Sequence, residues 1–180
     1  MHIITKNILA ILALSFCLGP NVSAQLIQNQ NFNGCSLPSG WSTTIINGNA
    51  DWSFDDNSSG SNSGSFNGSC MAYFDDDKLG ANASPSKVEL ISPVVDLTPY
   101  ASVELKFDYN YKHASSSSFK VEVWDGNAWQ NVLFVSSNSC GTWNTCNYPL
   151  AKIDVSNFIN NQFQVKFTYD DGGNWAWYAG

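Results

Sequence analysis

Hydrophobic and polar residues alternate one by one along several segments of the chain, and this alternation restricts the possible folds more than any other feature. In residues 103–112, Val, Leu, Phe and Tyr occupy every second position and polar residues fill the others. Residues 119–124 and 163–169 show the same pattern, which is typical of a β-strand with one buried face. No segment after the first 24 residues repeats its hydrophobic residues with the 3.6-residue period of an α-helix.

Turn-forming residues separate the alternating segments. The Asp-Gly-Asn sequence at residues 125–127 lies between the segment 119–124 and residues 129–135, which predicts a β-hairpin. Segments rich in Ser, Asn and Gly, at residues 57–69 and 115–118, are expected to form exposed loops. Many short strands joined by such loops predict an all-β fold, an antiparallel β-sandwich of the jelly-roll type.

The chain is poor in charged residues and rich in aromatic ones. Charged residues make up 13% and aromatic residues 14% of the 180 positions, with 8 basic against 15 acidic residues. The isoelectric point is near 4.4 and every basic residue is Lys. A protein that binds nucleic acid needs clustered basic residues to neutralise phosphates, so the composition excludes that class. Seven Trp, seven Tyr and eleven Phe can bury a core, which excludes a disordered chain.

Residues 1–24 have the pattern of a secretory signal peptide. A weakly basic start is followed by an apolar run over residues 8–18 and by a Val-Ser-Ala sequence at residues 22–24, whose small residues suit signal peptidase. The apolar run is shorter than the roughly 20 residues that a transmembrane helix needs. We therefore expect cleavage before Gln25, a mature domain of residues 25–180, no membrane insertion after cleavage, and an extracellular location.

Four Cys residues follow the signal segment: Cys35, Cys70, Cys140 and Cys146. An even number of Cys residues in an exported chain favours two disulfides, for which three pairings are possible. Five residues separate Cys140 from Cys146, a spacing that suits a small closed loop, so we pair these two and leave Cys35 with Cys70. A zinc site is disfavoured because no two of the four lie three positions apart.

Groups that could catalyse a reaction are few. His113 is the only His after residue 24 and the sequence has no Gly-x-Ser-x-Gly motif, so a nucleophile activated by His is not expected. The three Glu residues, Glu89, Glu104 and Glu122, have Lys residues nearby, and we expect solvated charge ladders at Glu104 and Glu122. We therefore expect that the protein is not an enzyme. The alternative is a concanavalin-like glycoside hydrolase, which needs two carboxylates in one groove.

Acidic residues gather in three loop regions and could supply the oxygen ligands that calcium prefers. The candidate calcium ligands are Asp51, Asp55, Asp56, Asp75, Asp76, Asp170 and Asp171. None of the three regions has the spacing of an EF-hand loop. The alternative is that these residues form turns and keep the chain soluble.

Three Trp residues are candidate ligand contacts because an exposed Trp ring offers a flat platform for sugars or protein side chains. Trp124 lies on the polar side of its predicted strand, and Trp143 and Trp175 lie in or beside loops. The alternative for each ring is packing in the core or at an end of the sandwich.

Several short motifs occur in a fixed order along the chain. They are Asn-Phe-Asn-Gly at 31–34, Leu-Pro-Ser-Gly-Trp at 37–41, Leu-Ile-Ser-Pro-Val-Val-Asp-Leu at 90–97, Leu-Lys-Phe-Asp-Tyr at 105–109 and Phe-Thr-Tyr-Asp-Asp-Gly-Gly at 167–173. Together they resemble the MAM-like jelly rolls of bacterial cleaved-adhesin and choice-of-anchor J domains. The resemblance implies a non-catalytic module of a secreted or surface protein, with a surface glycan or an extracellular protein as partner and commonly with structural calcium. A purely structural spacer beside a peptidase domain is the alternative.

The chain departs from the family pattern at two places. Family members usually have an acidic residue before the first Phe, where this chain has Asn31. They also continue past the Trp-Ala-Trp-x-Ala-Gly segment into a final strand that begins with Ile-Asp, whereas this sequence ends at Gly180. The resemblance therefore implies that residues 25–180 form a C-terminally truncated sandwich domain that lacks its last strand.

Overall fold

A computed structural model of the chain describes residues 25–58, 69–80, 85–139 and 150–180. The segment from Asn31 to Gly180 forms one compact unit. Residues 25–30 belong to a separate unit and contain no helix or strand. Within the described ranges, no helix is long and apolar enough to cross a membrane.

Alternating residues of the compact unit form short strands. The strands in the described ranges are β1 (Ser42–Asn47), β2 (Ser53–Asp55), β3 (Met71–Asp75), β4 (Lys87–Ile91), β5 (Glu104–Asp108), β6 (Tyr111–Lys112), β7 (Ser118–Trp124), β8 (Trp129–Val135), β9 (Leu150–Asp154), β10 (Val165–Asp170) and β11 (Tyr178–Ala179). Two short 3-10 helices, Asp77–Leu79 and Ser156–Phe158, lie between strands, and no α-helix occurs in the part that the structure describes.

The strands pair into three antiparallel sheets. A five-stranded sheet has the order β1-β4-β10-β7-β8, a four-stranded sheet has the order β2-β3-β11-β6, and β5 pairs with β9. Sheet neighbours are mostly distant in sequence, as in a jelly roll. The predicted all-β antiparallel sandwich is confirmed.

Both edge strands of the five-stranded sheet are irregular. The register of β1 against β4 shifts between Ile45 and Asn47, and the register of β8 against β7 shifts at Val121 and Glu122. Such a shift inserts an extra residue into one strand and increases its local twist. Neither edge is therefore a flat, regular ladder.

Aromatic rings fill the space between the layers. Phe74 of β3 stacks on Tyr169 of β10 with the ring centroids 5.0 Å apart. Phe107 of β5 meets Phe167 of β10 edge-on at 5.3 Å. Both smaller sheets therefore pack on the same inner face of the five-stranded sheet. The aliphatic side chains buried on this inner face are Val88, Leu90, Val121, Val123 and Val165.

The longest alternating segment does not form one strand. Residues 103–112 divide into β5 and β6, which belong to different sheets. The division lies at Tyr109 and Asn110, where Asn110 donates its backbone N–H to the carbonyl of Gly180 and accepts the N–H of Gly180 in return. The strand that pairs with the chain changes at this point, so one continuous alternating segment belongs to two different sheets.

One of the two predicted disulfides lies among the described residues. Cys35 is bonded to Cys70, with 5.2 Å between the Cα atoms, and the bridge joins the segment before β1 to the start of β3. Such a cross-link stabilises the fold mainly by restricting the unfolded chain. Cys140 and Cys146 lie outside the described residues, so their pairing stays a prediction, as does the truncation of the domain.

Gly172, in the loop after β10, makes the closest backbone approach in this part of the fold. Its φ is +68°, and a Cβ added there would lie 2.5 Å from the carbonyl oxygen of Ser116. Gly173 also has a positive φ, +85°, but a Cβ there would meet nothing within 4 Å. A substitution at Gly173 therefore measures the cost of the positive φ alone, and a substitution at Gly172 measures that cost together with the contact to Ser116.

We expect Gly172→Ala to destabilise the fold much more than Gly173→Ala. The positive φ costs an Ala about 1–2 kcal/mol at either position, and the collision with Ser116 adds roughly 1–3 kcal/mol only at Gly172. Urea titrations of the two variants measure the difference. Equal loss of unfolding free energy in both would contradict the close approach.

Candidate functional site

The outward-facing side chains of the five-stranded sheet form a second surface, which we call the outer face. Cross-strand partners lie on the same side of a sheet, so the register defines this surface. One row of partners is Glu89, Thr168, Lys120 and Phe134, the next is Ile91, Lys166, Glu122 and Asn131, and a third is Trp124 and Trp129. The outer face thus combines Lys and Glu residues with two Trp rings.

The register shift in β8 brings Trp129 to the outer face. In a regular strand Trp129 and Leu133 would share one side, because their positions differ by four. The shift makes Val132 the extra residue, so Leu133 pairs with Val121 towards the core while Trp129 pairs with Trp124 outward. Sequence reasoning missed Trp129 because an alternation pattern does not show where a bulge occurs.

The two Trp rings form an edge-to-face pair at the end of the β7–β8 hairpin. The ring centroids of Trp124 and Trp129 are 5.5 Å apart and the planes are 64° apart. Both residues are half-buried. The hairpin turn is fixed by Asp125, whose carboxylate accepts the backbone N–H groups of Asn127 and Ala128 at 2.8 Å each. These hydrogen bonds lower the pKa of Asp125, so the turn is held by an ionised carboxylate.

Lys166 lies at the centre of an ion-pair network on the outer face. Its Nζ is 3.0 Å from Glu122 Oε2 and 3.4 Å from Glu89 Oε1. Glu122 Oε1 also pairs with Lys120 Nζ at 3.0 Å. The Lys166 ammonium lies 4.5 Å from the ring centroid of Trp129, within the range of a cation–π contact. The network therefore joins three strands to the aromatic pair.

The expected solvated charge ladder at Glu122 is a prediction that the structure corrects. Glu122 is only 9% exposed and Lys166 only 8%, since neighbouring side chains of the face cover them. The ladder expected at Glu104 does lie at the surface, where Glu104 pairs with Lys106 at 2.7 Å. An alternation pattern shows which side of the sheet a residue faces. It does not show how far neighbouring side chains bury that residue.

Glu122 is ionised in this setting. Burial alone would raise its pKa, but hydrogen bonds and charge from Lys120 and Lys166 outweigh burial and the pKa of Glu122 is lowered. A general acid in glycoside hydrolysis needs the opposite shift, towards a carboxyl that is protonated near neutral pH. Glu122 has the properties of a structural and hydrogen-bonding group.

Trp175, another predicted ligand contact, lies away from the outer face, after the loop that follows β10. Its ring is 38% exposed and packs against Trp177 with centroids 5.2 Å apart. The Lys112 ammonium covers Trp177 at 3.3 Å from the ring centroid. Trp143 lies outside the described residues.

The first group of predicted calcium ligands is engaged in local hydrogen bonds. Asp51 accepts the Thr43 hydroxyl at 2.6 Å, and Asp55 accepts the Tyr73 hydroxyl at 2.7 Å. Asp56 is exposed and caps a turn by accepting the N–H of Ser58. The contact of Asp56 matches the alternative of turn-forming carboxylates, while Asp51 and Asp55 in addition accept a hydroxyl from a residue of another strand.

The second group contains three buried carboxylates. Asp75, Asp76 and Asp171 are all buried, and Asp76 is 1% exposed. Asp76 Oδ2 accepts the N–H of Ala176 at 2.7 Å, while its buried Oδ1 has no hydrogen-bond partner among the described residues. Burial, together with the charges of Asp171 and Asp75, raises the pKa of Asp76. Asp76 is therefore a buried carboxyl that lies near two further carboxylates.

The buried carboxylates do not converge on one point. Within the described ranges, no group of three or more Asp, Glu, His or Cys side chains has a geometry that could hold a metal ion. Asp170, the last predicted ligand, pairs instead with Lys87 at 2.9 Å. The unpartnered oxygen of Asp76 fits a cation ligand, but the acidic side chains of the described ranges do not complete a ligand set around it.

His113 lies in a small polar network near β6. Its Nδ1 is 3.1 Å from the Tyr111 hydroxyl and 3.4 Å from Ser117 Oγ. The Ser117 hydroxyl is also 2.7 Å from the Tyr111 hydroxyl and contacts the Ala114 N–H, so it fixes the loop. This network positions the loop before β7.

Solved structures with a similar fold are adhesin and carbohydrate-binding domains. The K1 cleaved adhesin domain of Lys-gingipain from Porphyromonas gingivalis has a TM-score of 0.61 and 18% identity, with 83% of this chain and 90% of that domain covered. The K3 cleaved adhesin domain of the same protein has a TM-score of 0.59 and 14% identity, with 85% and 92% covered. The module TmCBM61, solved with β-1,4-galactotriose, has a TM-score of 0.56 and 12% identity, with 87% and 93% covered.

These similarities confirm the cleaved-adhesin-like fold that the motifs predict. The identities are below 20%, so the likeness concerns the fold. No protein-family model matches the chain, and no curated protein matches it.

We expect Lys166→Met to destabilise the protein by about 3 kcal/mol, because it leaves half-buried Glu89 without its cation and buried Glu122 with Lys120 alone. The matched control is Lys106→Met, which breaks an exposed pair on β5 and should cost less than about 1 kcal/mol. Chemical denaturation at neutral pH measures both.

The loss of unfolding free energy in Lys166→Met should depend on pH. A carboxyl whose folded-state pKa is lowered contributes stability above its unfolded pKa, and this contribution is lost as the pH falls through the folded-state pKa. The lowered pKa of Glu122 places this loss below its ordinary value of 4.5. The stability gap between the wild type and Lys166→Met should therefore narrow in acid. A gap that stays constant from neutral pH to below the pKa range would contradict the ion-pair assignment.

Proposed function

We propose that this protein is a non-catalytic, secreted binding module that recognises carbohydrate on the outer face of its five-stranded sheet. The observation that carries the proposal is the Trp124–Trp129 pair, placed beside the ionic network of Lys166. A ring that contributes its edge to such a pair keeps both of its own faces clear of the other ring. Sugar rings present C–H groups that pack against an aromatic face.

The ionic groups beside the rings supply the polar half of a sugar site. Carboxylates accept and ammonium groups donate charge-assisted hydrogen bonds, which are stronger than neutral ones. Glu122 and Lys166 lie two positions from the Trp124–Trp129 pair in the cross-strand register, and Lys120 lies two positions further along β7. A flat hydrophobic platform next to fixed donors and acceptors suits a polyhydroxylated ring.

The fold comparisons support a binding role. Two of the similar structures are cleaved adhesin domains of a bacterial protein, and the third is a carbohydrate-binding module solved with a galactotriose. Together with the signal-peptide pattern of residues 1–24, the adhesin likeness favours an extracellular or cell-surface location. We propose carbohydrate rather than protein recognition because the rings lie among hydrogen-bonding charges and not in an apolar patch.

A hydrolytic function is not favoured by the carboxylates of the outer face. Glu89 and Glu122 share the cation of Lys166, and the lowered pKa of Glu122 is the opposite of what a general acid needs. The alternative of a pure spacer predicts no binding at all on arrays of glycans and matrix proteins.

We further propose that a calcium ion stabilises the end of the sandwich that contains Asp75, Asp76 and Asp171. The unpartnered Oδ1 of buried Asp76 and the raised pKa of this residue support the proposal. A divalent cation would compensate the charge that these carboxylates place in a buried region. Its role would be structural, and it would contact no sugar on the outer face.

The carbohydrate proposal predicts that Trp124→Ala and Trp129→Ala each weaken glycan binding at least about tenfold, because each removes a stacking platform. Trp175→Ala is the matched control: it removes an exposed Trp at another place and should leave binding unchanged. Titration calorimetry with the best ligand from a polysaccharide array measures the affinities, and thermal melting confirms folding. Loss of binding only in Trp175→Ala would contradict the proposal, because the sugar site would then lie at Trp175 and not on the outer face.

The calcium proposal predicts opposite effects of Asp76→Asn with and without metal. In chelator, the substitution removes a buried charge while keeping an acceptor for the Ala176 N–H, so the melting midpoint should rise by a few degrees. With calcium, the wild type should gain stability and Asp76→Asn should not. A wild-type midpoint that is identical in calcium and in chelator would remove calcium from the proposal.

A further inference from the structure

The charges of the outer face are balanced. Its lysines on β4, β7 and β10 are Lys87, Lys120 and Lys166, and its carboxylates on the same strands are Glu89, Glu122 and Asp170. Three cations therefore face three anions, although the chain as a whole carries a net charge of −7. The outer face of these three strands is therefore locally neutral, and the ionised Asp125 carboxylate in the hairpin turn adds a negative charge near the two Trp rings.

Every lysine on these three strands of the outer face is paired with a carboxylate. Lys87 lies 2.9 Å from Asp170, and Lys120 lies 3.0 Å from Glu122. Lys166, the lysine closest to the aromatic pair, contacts two carboxylates and the Trp129 ring and is 8% exposed. An anionic ligand group would have to compete with these partners for a cation.

From this balance we infer that the outer face selects uncharged glycans and rejects sulfated or uronic-acid glycans. This inference rests on the proposed carbohydrate-binding function. A neutral hydroxyl can bond to the free lone pairs of Glu89, which is more exposed than Glu122, without breaking an ion pair. A sulfate or carboxylate group in the same place meets those carboxylates as like charges, and the negative net charge of the protein opposes the approach of a polyanion.

Glu89 is the residue at which the charge balance can be changed with least disturbance. It pairs with Lys166 at 3.4 Å, while Glu122 holds the same ammonium at 3.0 Å. Glu89→Gln keeps the size and the hydrogen-bonding capacity of the side chain and leaves Lys166 with one carboxylate. Strands β4, β7 and β10 then carry one cation in excess on this face, so an anionic glycan should gain affinity.

The test uses neutral β-linked galactan, glucan and mannan, each compared with the sulfated derivative prepared from the same polymer. Affinities are measured at low and at physiological salt for the wild type, for Glu89→Gln and for Glu104→Gln. Glu104→Gln makes the same change in net charge, but on β5, where Glu104 pairs with exposed Lys106. Thermal melting of each variant confirms that it is folded.

We expect the wild type to bind its preferred neutral polymer at least about tenfold more tightly than the sulfated form. Glu89→Gln should raise affinity for the sulfated polymer severalfold, and salt should reduce that gain. Glu104→Gln should have little effect on either polymer. These results together would support selection by local charge balance.

Three results would overturn the inference. If the wild type binds sulfated and neutral polymers equally, the proposed function stands and the charge selection is wrong. If Glu89→Gln and Glu104→Gln change sulfated binding to the same extent, net charge and not the outer face controls the preference. If neither kind of polymer binds, the proposed function fails and the inference fails with it.

Discussion

The central position of β10 is the constraint on which both faces of the five-stranded sheet depend. This strand pairs with β4 on one side and β7 on the other, so its alternating residues point into two different environments. Tyr169 and Phe167 face inward and contact the opposite layer. Lys166 faces outward and joins the carboxylates of both neighbouring strands. Core packing and the ionic network therefore hold the same strand in place.

Much of the fold could be predicted because strand formation with one buried face leaves a period of two in the sequence. The hairpin of β7 and β8, the strand β10 and the Cys35–Cys70 bridge all occur where the sequence places them. The division at Asn110 could not be predicted. Side-chain alternation continues through that point, and only the backbone partner, Gly180, shows that the chain has entered another sheet.

The candidate site was predicted only in part, because alternation determines the side on which a residue lies but not its depth or its neighbours. Trp124 was expected on the polar side and lies there, next to a Trp129 that the pattern did not single out. Glu122 was expected in solvent and is buried with Lys166. Both differences arise from the pairing of strands. The bulge at Val132 places the Trp129 ring on the outer face, and β10 places the Lys166 ammonium against that ring.

The irregular registers of β1 and β8 also bear on how many copies of the domain can be crowded together. These are the two outermost strands of the five-stranded sheet, and a straight outer strand offers free backbone groups to which another molecule can add a strand. A shifted, more twisted strand fits poorly against a neighbouring copy, so a continuous sheet from one molecule to the next is disfavoured. A protein displayed densely outside a cell could thus remain a set of separate domains.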